Sequence, residues 1–287
     1  MKVRKAVIPV AGFGTRWLPA SWSVPKVMLP VLDTPVVHFA VQEASEAGIE
    51  HVVLVLSRQQ EAISNYFGRN TDLETALEQR GDGDTLRRML AITGMVEISY
   101  VYQHQQLGLG HAILSTQAIV GDEPFAVFLP DDVIWSDAPT IGRMMEIFDQ
   151  RGGCVVAVKE VPDEMIPGLG IVSSRPLDGR TLAIDGMVEK PSVTEAPSNL
   201  AIIGRYVLAP ELFDILRGTR PGARGEIQLT DALSTLLSTR PMFAYRFPGV
   251  HFDVGTPIGL LKASVHATLQ RDDLAPGFRE WLDGEMS

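Results

Sequence analysis

Along the first half of the chain, apolar runs of strand length alternate with stretches whose apolar positions recur at helical spacing. Ala6–Ala11 and Val52–Leu56 are almost wholly apolar, the pattern of strands buried on both faces. Pro35–Ala47 repeats at the helical period and stops at Gly48, a residue suited to a helix end. The series continues with a helical stretch near Glu61–Phe67, strands at Ile98–Tyr102, Ala126–Leu129 and Val155–Val161, and helices at His111–Val120 and Ile141–Gln150. This alternation predicts an α/β protein with parallel βαβ units wound into one sheet. Residues 68–95 interrupt it: they are polar and charged, with helical patches on either side of Gly81-Asp82-Gly83, and predict a helical insertion on the surface.

The second half reads differently. Short strands are predicted at Gly170–Ser174, Met187–Glu189 and Ala201–Leu208, and helices near Glu211–Leu216, Ile227–Ser238 and Pro257–Gln270, with Pro191–Pro197 as a loop. No repeat or low-complexity linker divides the chain. The expectation is therefore one composite domain over 1–287, ending in helices over 257–287.

Composition then narrows the class. A chain of 287 residues with 45% hydrophobic and 21% charged residues has ample material for a core and is not disordered. Lys and Arg number 25 against 35 Asp and Glu, a net charge of −10, which argues against nucleic acid as a partner while leaving room for a local basic site. No apolar run reaches the roughly 18 residues of a membrane-spanning helix, so no membrane partner is expected. The apolar run after Met1 is too short for a signal peptide and flows into a glycine-rich loop. Cys154 is the sole cysteine and has no internal disulfide partner, which fits a cytoplasmic location.

Candidate chemistry sits where strands end. Ala11-Gly12-Phe13-Gly14-Thr15-Arg16 follows the first strand, and two glycines there let backbone N–H groups approach an anion. Trp17 stands where the dinucleotide fingerprint needs glycine, and no GxxxxGK[ST] occurs. About ten residues on, Pro25 and Pro30 stiffen a loop around Lys26, so Arg16 and Lys26 either clamp a polyphosphate or decorate a tight turn. Asp131 and Asp132 follow another buried strand, at the edge where open α/β sheets bind ligands. They suit a hard cation such as Mg2+, or a turn. Asp253 is a second candidate carboxylate, equally explained as a cap before the final helix. Gln103 and Gly108 frame a glycine turn; Gln is able to read a nucleobase edge, and His111 reads as a helix-start residue. Glu189-Lys190-Pro191 offers a sugar and phosphate contact or a surface ion pair, and Glu226 opens a helix with its carboxylate available to point inward. The histidines lack zinc spacing and no G-x-S-x-G elbow occurs.

The order of these motifs is more specific than any one of them. A-G-F-G-T-R, P-K-V-M-L-P, Q-(x4)-G-L-G-H-A, L-P-D-D, E-K-P, G-R-Y-V-L, G-E-I-Q-L-T-D and D-V-G-T-P follow one another from Ala11 to Pro257. In this the chain resembles the bacterial UTP–glucose-1-phosphate uridylyltransferases (UDP-glucose pyrophosphorylases), a branch of the sugar-phosphate nucleotidyltransferases. The resemblance implies a Rossmann-like nucleotidyltransferase fold with a mixed, mostly parallel sheet flanked by helices. It implies that UTP and glucose 1-phosphate give UDP-glucose and pyrophosphate with Mg2+, in a homodimer or homotetramer. It places Ala11, Gly12, Gly14, Gln103 and Gly108 around the nucleotide, Arg16 against the departing pyrophosphate and Lys26 near the α-phosphate. Gly170, Glu189 and Glu226 would meet the sugar, Lys190 its phosphate, and Asp131 and Asp253 the metal. Ser21-Trp22-Ser23, Val27 and Leu169 depart from the family's usual Thr-Lys, Glu and Tyr. The competing readings are a related enzyme using dTTP or another sugar 1-phosphate, and a non-catalytic regulatory relative. All versions require the loops bearing Gly14, Asp131 and Lys190 to share one cleft.

Overall fold

The computed structural model describes residues 2–222 and 225–285. Strand β1 (Lys5–Pro9) leads through three 3-10 turns to a minimal pairing of β2 (Pro30–Val31) with β3 (Thr34–Pro35). Helix α1 (Val36–Glu46), strand β4 (His51–Leu56), helices α2 (Glu61–Phe67), α3 (Thr71–Arg80) and α4 (Gly83–Thr93), and strand β5 (Glu97–Tyr102) follow. Next come α5 (Leu109–Leu114), α6 (Gln117–Val120), β6 (Phe125–Phe128), β7 (Asp132–Trp135), α7 (Thr140–Arg151) and β8 (Cys154–Glu160). The remainder is β9 (Gly170–Asp178), β10 (Thr181–Glu189), β11 (Leu200–Leu208), α8 (Leu212–Gly218), α9 (Leu229–Leu237), β12 (Met242–Arg246), β13 (Val250–Asp253), α10 (Pro257–Leu269) and α11 (Ala275–Glu285). Residues 286 and 287, the end of the expected C-terminal helical region, lie outside the described residues.

Nine strands form one sheet in the order β5-β4-β1-β6-β11-β8-β12-β10-β9. The pairings of β1 with β4 and β6, β4 with β5, and β8 with β12 are parallel, whereas β11 and β10 run against their neighbours. Strand direction is thus shared by all members but two, the mixed and mostly parallel sheet the resemblance implied. Both faces are covered. Val7 of β1 packs into the cluster with Phe125, Phe213 and Leu233, while its neighbours Ala6 and Ile8 enter the cluster with Val37, Ile141 and Met144. Double-sided burial is why β1 has no polar alternation.

Local chemistry explains where the elements depart from the expected ones. The helix anticipated over His111–Val120 is two helices, because Ser115 and Thr116 turn their hydroxyls back onto the carbonyls of Ala112 and Ile113 at 2.6 and 2.7 Å. β9 and β10 are longer than their predicted spans and form a hairpin in which β9 is exposed from Arg175 to Asp178 while the facing start of β10, Thr181 to Ile184, is buried. β12 and the β7–β13 ribbon were not anticipated. Among the described residues no helix is long and apolar enough to cross a membrane.

Candidate active site

The loops leaving β1, β5 and β6 meet the open end of the β9–β10 hairpin around a cleft of about 640 Å³. Ala11, Gly12, Gly14, Arg16, Lys26, Gln103, Gly108, Asp131, Gly170, Glu189, Lys190 and Glu226 all line it. Gly14, Asp131 and Lys190 therefore share one concavity. Asp253 does not line that wall but stands immediately beside it: a Cβ at Gly255 would lie 2.8 Å from Asp253 Oδ1 and 3.1 Å from Asp131 Oδ2.

The glycine loop is folded over Lys26. Gly14 takes a left-handed φ of 65°, its carbonyl accepts the Ser21 hydroxyl at 2.8 Å, and a Cβ there would lie 3.0 Å from the Lys26 Cβ. The Gln106 carboxamide donates to the Ala11 carbonyl at 2.9 Å, and Gln60 donates to that of Val10 at 2.9 Å. Two glutamines thus fix the root of the loop; neither was singled out from sequence, where a lone Gln is indistinguishable from a surface residue. Trp22 is 86% exposed and Val27 is buried.

Lys26 Nζ donates to Asp131 Oδ2 at 2.6 Å. Burial pushes the Asp131 carboxyl up, but the Lys26 ammonium and, more weakly, Arg16 outweigh it and hold the group below the ordinary carboxylate range. Asp253 goes the other way: burial raises it, and the charges of Asp132 and Asp131 raise it further. The β7–β13 ribbon creates this crowding by pairing Asp132 with Asp253 directly. Asp132 is not interchangeable with Asp131. It turns from the cations, accepts the Gly204 N–H at 3.0 Å and meets His251 Nε2 at 2.6 Å. Among the described residues no three Asp, Glu, His or Cys gather as a closed metal cage. Two mutually repelling carboxylates, beside a cleft into which Arg16 and Lys26 also reach, fit a hard divalent ion that takes its other oxygens from a bound phosphate.

The opposite wall comes from the second half. Gly170 and Glu189 are cross-strand partners, and a Cβ at Gly170 would lie 3.0 Å from Thr230 Oγ1 and 3.3 Å from Glu189 Oε2. Lys190 has a left-handed φ of 49°, a strained conformation for a residue with a Cβ, and its ammonium pairs with Glu189 at 2.8 Å. Glu226 Oε2 accepts the Gln228 amide at 2.9 Å. Gly108, at φ 92°, lets the β5 loop pass Glu226; a Cβ there would lie 2.8 Å from the Glu226 Cβ. Leu169 also lines the cleft.

The sequence model of one family, Nucleotidyl transferase, matches residues 5–270. The chain belongs to the nucleotidyl transferase family. Its relatives within this nucleotidyl transferase family include a UTP–glucose-1-phosphate uridylyltransferase of Staphylococcus haemolyticus, 42% identical over 283 residues, spanning 97% of this chain and 98% of the relative. A solved UDP-glucose pyrophosphorylase complexed with UDP-glucose superposes with a TM-score of 0.85 at 40% identity, over 94% of this chain and all of that one. A UTP-bound pyrophosphorylase of Acinetobacter baumannii gives 0.90 at 41%, over 98% of each chain.

Proposed function

We propose that this chain converts UTP and glucose 1-phosphate to UDP-glucose and pyrophosphate, with Mg2+ as its metal. The observation carrying the reading is the convergence of Arg16, Lys26 and Lys190 with Asp131 on one cleft that also presents the carboxylates of Glu189 and Glu226. The UTP-bound and UDP-glucose-bound relatives support the choice of substrates. Ala11, Gly12, Gly14, Gln103 and Gly108 then surround the nucleoside and its phosphates. Gly170, Glu189 and Glu226 receive the glucose hydroxyls, and Lys190 its phosphate.

The chemistry asks little of acid or base. The sugar phosphate oxygen is anionic at neutral pH and attacks the α-phosphorus unaided. A bond forms between them while the bond from the α-phosphorus to the bridging oxygen breaks, and pyrophosphate leaves with the electron pair. Repulsion between two anions is the obstacle, so the site must neutralise charge and align the attack. Lys190 holds the incoming phosphate, Lys26 exchanges Asp131 for the α-phosphate, and Arg16 faces the departing group. Mg2+ held by Asp131 and Asp253 would add Lewis-acid polarisation of the phosphate oxygens.

Release of pyrophosphate from UTP and glucose 1-phosphate in the presence of Mg2+ tests the reading. Binding without turnover would overturn it in favour of a regulatory relative. A much larger kcat/KM with dTTP would move it to the thymidylyl branch. We take 1–287 as a single cytoplasmic domain that works as a homodimer or homotetramer; the exposed Ile258 and Leu261 of α10 and Trp281 of α11 support an interface there.

A further inference from the structure

Gln103 ends β5's run beside β4, its backbone N–H bound to the Leu56 carbonyl at 2.8 Å, and the residue is only 5% exposed. Its amide nitrogen lies 3.3 Å from the Gly108 carbonyl and 2.9 Å from His111 Nδ1. These partners fix which end of the amide is which. A carbonyl can only accept, so the atom facing Gly108 is the nitrogen. The same nitrogen donates its second hydrogen to His111, so Nδ1 is the bare ring nitrogen and Nε2 carries the proton. Both donors of Gln103 are then spent. What remains on the cleft wall is Oε1, which has no hydrogen-bond partner among the described residues and is not sealed from solvent.

We propose that His111 is a positioning residue that locks the Gln103 carboxamide so that it offers the base an acceptor alone, selecting uracil over cytosine. The inference rests on the uridylyl reading above. Uracil presents a single ring donor along its pairing edge, N3–H, flanked by two carbonyl acceptors. An acceptor-only group matches it at that one position. Cytosine carries a bare acceptor at the same place, so the two lone pairs oppose each other. Thymine shares the imide N–H and is not excluded by this device. Without His111 the amide keeps only its longer, 3.3 Å contact to Gly108, so the flipped orientation gains population and presents a donor that cytosine accepts.

The test is kcat/KM for UTP, CTP and dTTP in the intact enzyme and two variants. His111→Leu lowers the UTP-over-CTP ratio by about tenfold or more, the scale of one mispaired polar contact, and leaves the UTP-over-dTTP ratio unchanged. His111→Asn restores the UTP-over-CTP ratio, because its Oδ1 is an acceptor at the same remove from Cα as Nδ1. A His111→Leu enzyme that keeps wild-type discrimination overturns the proposal, as does an Asn variant that discriminates no better than Leu. Should the Leu variant fail to fold, 15N spectra of histidine-labelled wild-type protein decide: a proton on Nδ1 of neutral His111 refutes the lock, and a proton on Nε2 upholds it. Wild-type protein with no turnover of UTP would instead defeat the uridylyl reading, a separate outcome.

Discussion

Asp131 and Asp253 respond to folding with opposite sign. The Asp131 carboxyl is held low by Lys26, so its contribution to stability is complete above the ordinary carboxylate range and drains away as pH falls through it. Wild-type protein is expected to lose stability on acidification below about pH 4, and Lys26→Ala to flatten that loss in a denaturation series. Asp253 is held high by burial and by its two neighbours, so its charge opposes folding at neutral pH. Asp253→Asn should raise Tm by about 2–4 °C while weakening the response of kcat/KM to added Mg2+. A variant that lowers both would show that the carboxylate serves packing alone. Lys190→Ala should cut kcat about 10²–10³-fold, as for other preorganised charges, with an unchanged melting curve because Lys190 is partly exposed.

At the scale of elements, the buried pair Arg205–Glu43 ties β11 to α1 at 2.8 Å, with the arginine only 1% exposed and stacked over Phe128. Glu43 also accepts the Ile141 N–H at the start of α7. Arg205→Ala strands that carboxylate and should cost about 3–5 kcal/mol in chemical denaturation, and Glu43→Leu with Arg205→Met should recover most of it. None of this was visible in the sequence, where Arg205 stood out only as part of G-R-Y. What the pattern did carry was the parallel half: β1, β4 and β6 are buried on both faces, and such runs leave little choice of element. Short polar strands were less legible. β9 continues past Ser174 into exposed Arg175 and Asp178, held by their register with β10 and by ion pairs of Arg175 with Asp185 and of Asp178 with Arg151. The glycine loop, Asp131 and Lys190 were legible because strand ends in α/β sheets are where ligands bind. The separation of Asp131 from Asp132 was not, since it depends on His251, 119 residues away.

At the scale of the whole molecule, an acidic chain with a net charge of −10 can serve anionic reactants because Arg16, Lys26 and Lys190 converge on one cleft, beside carboxylates able to take a metal ion or sugar hydroxyls. The C-terminal helices leave Ile258 and Leu261 uncovered. If they form the expected interface, Leu261→Asp should halve the mass seen in sedimentation; a wild-type chain that sediments as a monomer would refute that interface. The sheet order has one more consequence. The β9–β10 hairpin bearing Gly170, Glu189 and Lys190 joins the sheet along β12 on one side and meets β11 through the single pair Ala201 and Ile171 on the other. β12 is the last of the nine strands to leave the ribosome. A nascent chain stopped before Met242 already holds the strands that frame the nucleotide, while the hairpin still lacks its main seat, so the polypeptide gains a place for one reactant before it gains a place for the other.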